Sequence, residues 1–289
     1  MRILLLGKYG QLGWEFQRTL PLLGEVTALD RDELDLTQTD SLRTALAGLP
    51  WDVLVNASAY TAVDRAEVET DAARRVNADA PRVMAEESQK RGAIFIHVST
   101  DYVFDGTKTE PYLETDLPNP GGCYARTKWE GEQAVQASGG FHFIFRASWV
   151  YSLRGDNFVT KVIKWSRQRQ ELRIVTDQVA CPTWSRTLAE LISQALFKML
   201  TLGDAWTLER RGLYHLASAD YASRYDLACF IVQRLGLPVS VHPALTREFP
   251  SPVKRPAFSA LASSLFSQTF RLRVPGWREM LALALEEAE

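Results

Sequence analysis

Short apolar runs alternate with longer helical patterns through the first half of this 289-residue chain. The apolar runs predict strands over residues 3–6, 26–29, 52–56, 94–98 and 142–146. The patterns between them predict helices over residues 11–20, 41–47, 71–90 and 124–137. Buried strands separated by helices form parallel sheets, and right-handed crossovers place helices on both faces. The sequence therefore predicts an α/β fold with a doubly wound parallel sheet.

The second half of the chain has a less regular pattern. Helices are predicted over residues 157–169, 185–200, 223–235 and 277–289, and a strand over residues 214–216. Prolines interrupt the stretch before the last helix and predict a loop-rich segment, because each lacks a backbone donor. These prolines are Pro238, Pro243, Pro250, Pro252 and Pro256.

The charge and cysteine content exclude several classes of partner. The 33 basic and 35 acidic residues leave a net charge of −2, with no basic stripe for nucleic acid. No apolar run approaches the roughly 18 residues of a membrane span, so no membrane partner is expected. The three cysteines form no C-x-x-C pair, and the four histidines are scattered. This predicts neither a disulfide framework nor a zinc site, and is typical of a cytoplasmic protein.

Three glycines follow the first predicted strand in the pattern G-x-x-G-x-x-G. They are Gly7, Gly10 and Gly13, at the start of the first predicted helix. Residues without a side chain let backbone N–H groups approach a pyrophosphate, and the N-terminus of a helix adds partial positive charge. The spacing differs from the common G-x-G-x-x-G, but its position after a strand predicts a Rossmann-type dinucleotide site.

Asp30 ends the second predicted strand, about 20 residues beyond the turn, where a carboxylate can bind the adenosine ribose. Arg31 follows at once, and its guanidinium can bind a 2′-phosphate instead. Both NADH and NADPH therefore remain open as cofactors. Asp35 and Leu36 are predicted to lie beside the adenine. The small residues 56–59 predict room for the cofactor against the sheet edge.

Tyr124 and Lys128 form a Y-x-x-x-K pair at the start of a predicted helix. Residues four apart share one helical face, so the lysine can stand near the tyrosine hydroxyl. A free tyrosine has a pKa near 10, and a neighbouring ammonium favours the phenolate. The pair predicts that Tyr124 is the general acid for reduction of a carbonyl.

The strand over residues 94–98 runs into Ser99 and Thr100. Ligands bind beyond the carboxyl ends of strands in an open parallel sheet, so a hydroxyl here can bond to the substrate carbonyl and the tyrosine. Thr100 is the candidate, and Ser99 competes with it. The order of glycine turn, strand-end hydroxyl and Y-x-x-x-K predicts a nicotinamide-dependent reductase.

These features predict a dinucleotide-binding domain over residues 1–150, with segments near 172–200 returning to it. Residues 151–171 and 201–289 are expected to form mainly a smaller, mixed α/β substrate-binding region.

Longer strings resemble one branch of the extended short-chain dehydrogenases, the dTDP-4-dehydrorhamnose reductases. The similar strings are GKYGQLGWE at 7–15, AYTAVD at 59–64, STDYVF at 99–104, RASWVY at 146–151, Asp177-Gln178 with Pro182-Thr183, GLYHL at 212–216, and Arg255-Pro256. The resemblance implies NAD(P)H-dependent reduction of the C4 ketone of dTDP-4-dehydro-β-L-rhamnose to dTDP-β-L-rhamnose. The implied partner is thus a small nucleotide-sugar substrate.

The resemblance also implies roles for individual residues. Tyr124 would donate the proton, Lys128 would lower its pKa and hold the nicotinamide ribose, and Thr100 would tune the tyrosine. Cofactor contacts are implied at Tyr124 and Lys128 and at Gly7, Tyr9, Gly10, Gln11, Leu12, Gly13, Asp30, Arg31, Asp35, Leu36, Ala59, Tyr60 and Thr61. Substrate contacts are implied at Thr100, Asp101, Trp149 and Arg255, the last of them gripping the diphosphate with its guanidinium.

Some members of this family bind Mg²⁺ through acidic residues where two subunits meet. Glu15 matches one such position, and the tail residues Glu286, Glu287 and Glu289 have no clear counterpart. Mg²⁺ and a homodimer therefore remain possible, and no metal ligand is assigned.

Two alternative functions share this scaffold. A nucleotide-sugar epimerase or dehydratase is the first, because Asp101 places a carboxylate beside Thr100. The second is a non-catalytic regulatory subunit that binds a dinucleotide, since a fold alone does not define a function. The complete set of Thr100, Tyr124 and Lys128 favours catalysis.

Overall fold

The computed structural model describes residues 1–286. Its strands, numbered along the chain, are β1 (Arg2–Leu6), β2 (Glu25–Leu29), β3 (Val53–Asn56), β4 (Ile94–Thr100), β5 (His142–Ala147), β6 (Val150–Tyr151), β7 (Glu171–Val175), β8 (Val179–Ala180), β9 (Thr183–Trp184), β10 (Gly212–His215), β11 (Ala222–Ser223) and β12 (Ser240–Ala244). Six of them form one parallel sheet in the order β10-β5-β4-β3-β1-β2.

Helices cover both faces of this sheet. They are α1 (Gln11–Thr19), α2 (Thr39–Gly48), α3 (Val63–Ala66), α4 (Thr70–Arg74), α5 (Ala80–Arg91), α6 (Cys123–Ala137), α7 (Phe158–Ser166), α8 (Ser185–Leu202), α9 (Asp204–Glu209), α10 (Arg224–Arg234), α11 (Ser264–Phe270) and α12 (Trp277–Glu286). None of the described helices is long and apolar enough to cross a membrane.

Successive residues of the central strands enter two separate cores, because side chains along a strand alternate between its faces. Leu5 of β1 belongs to the same buried cluster as Phe16 of α1 and Ile192 of α8. Leu4 belongs to the opposite cluster, with Leu42 of α2. The predicted α/β fold with a doubly wound parallel sheet is therefore confirmed.

The helix predicted over residues 71–90 is interrupted by a π-helical segment, Arg75–Asp79, between α4 and α5. Periodicity over the whole stretch did not reveal this break, because one added residue per turn changes the pattern only slightly. Such π-helical turns are frequent at functional sites.

The proline-rich stretch is not entirely loop. Residues of β12 pair in parallel with β7, so the loop prediction was wrong for this segment. Pro243 lies within β12, and a two-stranded sheet tolerates it because each strand has a free edge that needs no donor.

The C-terminal half contributes to the central sheet as well as covering it. β10 pairs with β5 at one edge, although residues 201–289 were expected to form mainly the substrate region. Short pairs connect the segments after β5 to the second half: β6 with β9, and β8 with β11. The division of the chain near residue 150 stays a prediction.

Candidate active site

A cleft of about 900 Å³ lies at the carboxyl ends of the parallel strands. The strand order reverses between β1 and β3, and such switch points are where ligands bind in open α/β sheets. The predicted site residues that line it are Gly7, Tyr9, Gly10, Gln11, Leu12, Asp30, Arg31, Asp35, Leu36, Ala59, Tyr60, Thr61, Thr100, Asp101, Tyr124, Lys128 and Trp149. Gly13 and Arg255 are absent from the lining.

The glycine turn has no room for side chains. Gly7 has a φ of +91°, and a Cβ atom there would lie 2.5 Å from the Ser58 hydroxyl oxygen. A Cβ on Gly13 would lie 1.9 Å from the Gly7 carbonyl oxygen, so Gly13 allows α1 to pack against the turn. Gly10 begins α1 without a side-chain cap. The first amides of α1 are therefore free of side-chain caps, as an anion site at a helix N-terminus requires.

Asp30 supports this turn from the end of β2. Its carboxylate accepts hydrogen bonds from the backbone amides of Tyr9 at 2.9 Å and Arg31 at 2.8 Å. The guanidinium of Arg31 lines the cleft and forms no ion pair with any described residue. At the end of β2 the cleft therefore has the Asp30 carboxylate, bonded to backbone amides, and the Arg31 guanidinium, which forms no ion pair with a described residue.

Asn77 joins the loop that follows β3 to helix α6, and the sequence reasoning missed it. Its side chain accepts from the Tyr60 amide at 2.9 Å and donates to the Tyr60 carbonyl at 3.2 Å. It also donates to the Thr127 hydroxyl at 3.2 Å. Asn77 lies in the π-helical segment and is buried. Only the packing of α6 on this segment brings these partners together, so no local pattern indicated the contact.

The Y-x-x-x-K pair lies at the start of α6, as predicted from the sequence. Lys128 is buried, and its ammonium donates to the Val98 carbonyl of β4 at 2.6 Å. Burial lowers the pKa of Lys128 to about 8, and the charge of Glu132 partly opposes this. The ammonium is therefore held against the end of β4.

Tyr124 is partly buried, and desolvation of its phenol raises the pKa, while the Thr100 hydroxyl acts in the opposite direction. We predicted that Lys128 lowers this pKa. Lys128 is not among the groups that act on this pKa in the structure, and its ammonium donates to the Val98 carbonyl. The phenol is consequently protonated at neutral pH, which is the form that a proton donor needs.

The two strand-end hydroxyls differ in their partners. Thr100 donates to the Asp101 carboxylate at 3.2 Å, accepts from the Tyr102 amide at 3.2 Å and contacts the Tyr124 phenol. The Ser99 hydroxyl is buried and has no partner among the described residues. The contact with Tyr124 favours Thr100 over Ser99 for the predicted role.

Asp101 connects three segments at the end of the cleft. Its carboxylate accepts from Ser148, which follows β5, at 3.0 Å and from Ser259 in the C-terminal half at 2.5 Å. Burial raises the pKa of Asp101 to about 6, although the hydroxyls of Ser259, Ser148 and Thr100 oppose the rise. The carboxylate therefore fixes the strand end that carries Thr100.

Arg255 lies outside the lining of the cleft, and its guanidinium is already engaged. It donates to both carboxylate oxygens of Asp64, at 3.0 and 2.9 Å, and to the Ser251 hydroxyl at 2.8 Å. Its role in gripping the substrate diphosphate stays a prediction. Arg224, which the sequence reasoning missed, lines the cleft instead.

The two acidic residues considered for Mg²⁺ that the structure describes, Glu15 and Glu286, are each engaged by an arginine. Glu15 is buried and pairs with Arg186 at 3.4 Å, and Glu286 pairs with Arg234 at 3.0 Å. Residues 1–286 contain no group of three His, Cys, Asp or Glu side chains that could hold a metal. Glu287 and Glu289 lie outside the described residues. Mg²⁺ binding is thus not supported, and the homodimer stays a prediction.

Two features define the class of protein. The parallel sheet carries a glycine turn at its switch point, and the Thr100, Tyr124 and Lys128 side chains line the same cleft. This combination of a dinucleotide fold with a phenol and an ammonium on one helix is that of the short-chain dehydrogenases and reductases.

Comparison with known proteins narrows the class to a family. The family model described as the RmlD substrate binding domain matches residues 1–289. The dTDP-4-dehydrorhamnose reductase of Burkholderia thailandensis is 39% identical over 295 residues, covering 99% of both chains. The chain belongs to the dTDP-4-dehydrorhamnose reductase family.

Solved structures agree with this assignment. The dTDP-4-dehydrorhamnose reductase of Clostridium acetobutylicum has a TM-score of 0.92 and 34% identity, covering 100% of this chain and 99% of that chain. The enzyme from Bacillus anthracis, solved in complex with NADP, has a TM-score of 0.91 and 31% identity over 99% of both chains.

Proposed function

We propose that this protein catalyses the NADPH-dependent reduction of the C4 ketone of dTDP-4-dehydro-β-L-rhamnose, giving dTDP-β-L-rhamnose. The observation that carries the proposal is that Tyr124, Lys128 and Thr100 lie in the cleft that also holds the glycine turn. Two relatives that each cover 99% of this chain, from Burkholderia thailandensis and Escherichia coli, carry the name of this enzyme. The product belongs to dTDP-rhamnose biosynthesis.

The residues of the cleft fit a nicotinamide dinucleotide. The uncapped start of α1 and the crowded glycines would hold the pyrophosphate, and Lys128 would hold the nicotinamide ribose. The bound cofactor would supply hydride to C4 of the sugar. The proton comes from this chain.

Tyr124 donates that proton to the ketone oxygen, which stays bonded to C4 and becomes an alkoxide when C4 is reduced. Burial keeps its phenol protonated until the alkoxide forms, because a phenolate would be poorly solvated there. The Thr100 hydroxyl, bonded to the same phenol, orients it towards the carbonyl. Lys128 places a positive charge at the end of β4, where negative charge develops on the reacting oxygen.

The test is a direct turnover assay of the purified protein. We expect dTDP-4-dehydro-β-L-rhamnose to drive oxidation of NADPH, followed at the absorbance band of the reduced cofactor, with dTDP-β-L-rhamnose as the product. An epimerase or a dehydratase would transform a nucleotide sugar without net oxidation of added NADPH. Binding of NADPH without turnover of this sugar would contradict the proposal and favour a regulatory subunit.

Arg31 is proposed to give the preference for NADPH over NADH. We expect Arg31→Ala to raise the KM for NADPH by about 10-fold and to change the KM for NADH little, because a charge-assisted hydrogen bond to the 2′-phosphate is lost. The KM values for both cofactors measure this. Arg167→Ala, an exposed arginine outside the cleft, is the matched control. An equal loss for both cofactors would exclude a role in selecting the phosphate.

A further inference from the structure

Arg224 is the first residue of α10, and its guanidinium faces the cleft between aromatic rings. The guanidinium carbon lies 3.5 Å from the centroid of the Trp149 ring and 4.7 Å from that of Phe158. The Tyr102 phenol is a further polar neighbour, and it acts on the pKa of Arg224. These neighbours hold the cation in place, and none of them carries a negative charge.

Among residues 1–286, the negative charge that acts on the Arg224 guanidinium is that of Asp101, and it lies beyond ion-pair distance. Arg224 forms no ion pair with a described carboxylate, and the nearby Asp101 is already bonded to Ser148 and Ser259. Arg255 adds a second positive charge nearby, and burial lowers the pKa of Arg224 to about 10. The side chain is therefore still charged at neutral pH.

A partly desolvated cation without an anion is costly to hold. Contact with aromatic faces recovers only part of that cost. No described residue forms an ion pair with this guanidinium. Arg224 lines the cleft, so a ligand in the cleft can reach it. An anion that enters the cleft is the partner with the right charge.

The position of Arg224 relative to the proton donor limits which anion this is. Tyr102 is a neighbour of both residues: its phenol acts on the pKa of Arg224, and its ring centroid is 5.9 Å from that of Tyr124 in an edge-on arrangement. Arg224 is thus one side chain away from the residue that protonates the sugar. The anionic group nearest the sugar ring of a nucleotide sugar is its diphosphate.

We propose that Arg224 binds the diphosphate of the nucleotide-sugar substrate. This inference rests on the proposed function and specifies which part of the substrate this arginine binds. A guanidinium can hold two phosphate oxygens at once, and Arg224 has donors free for this, whereas Arg255 is engaged by Asp64 and Ser251. The Arg224 guanidinium also stacks on the ring of Trp149, a residue with a φ of +39°. The same side chain would therefore contact both the bound phosphate and this tryptophan.

The test is equilibrium binding of dTDP and of thymidine, measured by calorimetry on the full chain. We expect Arg224→Gln to weaken dTDP binding by about 10–100-fold, because charge-assisted hydrogen bonds are lost. Thymidine, which has no phosphate, is expected to bind the variant and the wild type about equally. Arg224→Lys keeps the charge and is expected to recover part of the affinity for dTDP.

Arg255→Gln tests the rival assignment in the same experiment, and the NADPH affinity of each variant reports whether the fold is intact. The proposal is overturned by an Arg224→Gln variant that binds dTDP as tightly as the wild type. It is equally overturned by a loss that is the same for dTDP and thymidine, which would mean that Arg224 only supports Trp149. If Arg224→Gln weakens dTDP binding as expected but the wild type does not turn over the sugar, only the proposed function is rejected. The role of Arg224 in binding the diphosphate would stand.

Discussion

Replacement of Tyr124 by phenylalanine is expected to lower kcat by about 10²–10⁴-fold, the usual contribution of a positioned general acid. The ring would keep its edge-on packing against Tyr102, so the affinity for NADPH should stay nearly unchanged. The substitution removes only the phenol hydroxyl, which is the group proposed to protonate the alkoxide. Steady-state turnover of dTDP-4-dehydro-β-L-rhamnose, together with NADPH binding, measures the two effects separately.

Tyr221→Phe is the matched control for this substitution. Tyr221 is 47% exposed and packs edge-on against Phe258, outside the lining of the cleft. Loss of its hydroxyl should leave kcat unchanged. A Tyr124→Phe variant that keeps most of the activity would show that another group supplies the proton, and the buried Asp101 would be the first residue to test.

Replacement of Arg146 by methionine is expected to lower the free energy of unfolding by about 3–5 kcal/mol, because one partner of a buried ion pair is removed. Arg146 of β5 donates two hydrogen bonds to Glu132 of α6, at 2.9 and 2.6 Å. The side chains are only 4% and 2% exposed. The methionine would leave the buried Glu132 carboxylate without its hydrogen-bonded partner. Urea unfolding measures the loss.

Two further variants make this result specific. Adding Glu132→Leu to Arg146→Met should recover most of the lost stability, since replacing a whole buried pair by apolar residues is often neutral or stabilising. Arg273→Met breaks an exposed pair with Glu279, whose side chains are 75% and 47% exposed, and should cost less than about 1 kcal/mol. A similar, small cost for Arg146→Met and Arg273→Met would contradict the importance of the buried pair.

The buried pair also bears on the site, because Glu132 lies one helical turn beyond Lys128 on α6. Arg146 is the register partner of Ser99, directly before Thr100. The pair therefore ties the helix that carries the proton donor to the strand ends that carry its partners. Arg146→Met is therefore expected to lower kcat as well as the free energy of unfolding.

Several elements of the site could be predicted because they are local in the chain. The glycine turn needs only a strand, three residues without side chains and a helix start, all within residues 1–20. The Y-x-x-x-K pair needs one helical face. For the same reason the strands and helices of the first half were predicted near their observed bounds, whereas β12 was missed, since its pairing partner lies far away in the chain.

The contacts that the sequence reasoning missed join segments that are distant in the chain. Asn77 reaches Tyr60 and Thr127, and Arg224 stacks on Trp149. Lys128 also has a partner from a distant segment, because its ammonium donates to the Val98 carbonyl of β4.

The sequence by itself determined the doubly wound sheet and the position of the glycine turn, and it singled out Thr100, Tyr124 and Lys128, which line one cleft. Periodicity, turn geometry and strand-end position depend on neighbouring residues, so they can be read along one segment. The tertiary structure alone decided the protonation of Tyr124, the pairing of Arg255 with Asp64 and the unpaired charge of Arg224. Burial and ion pairing depend on which distant segments pack together, and that packing sets the pKa values and the free charges of the cleft.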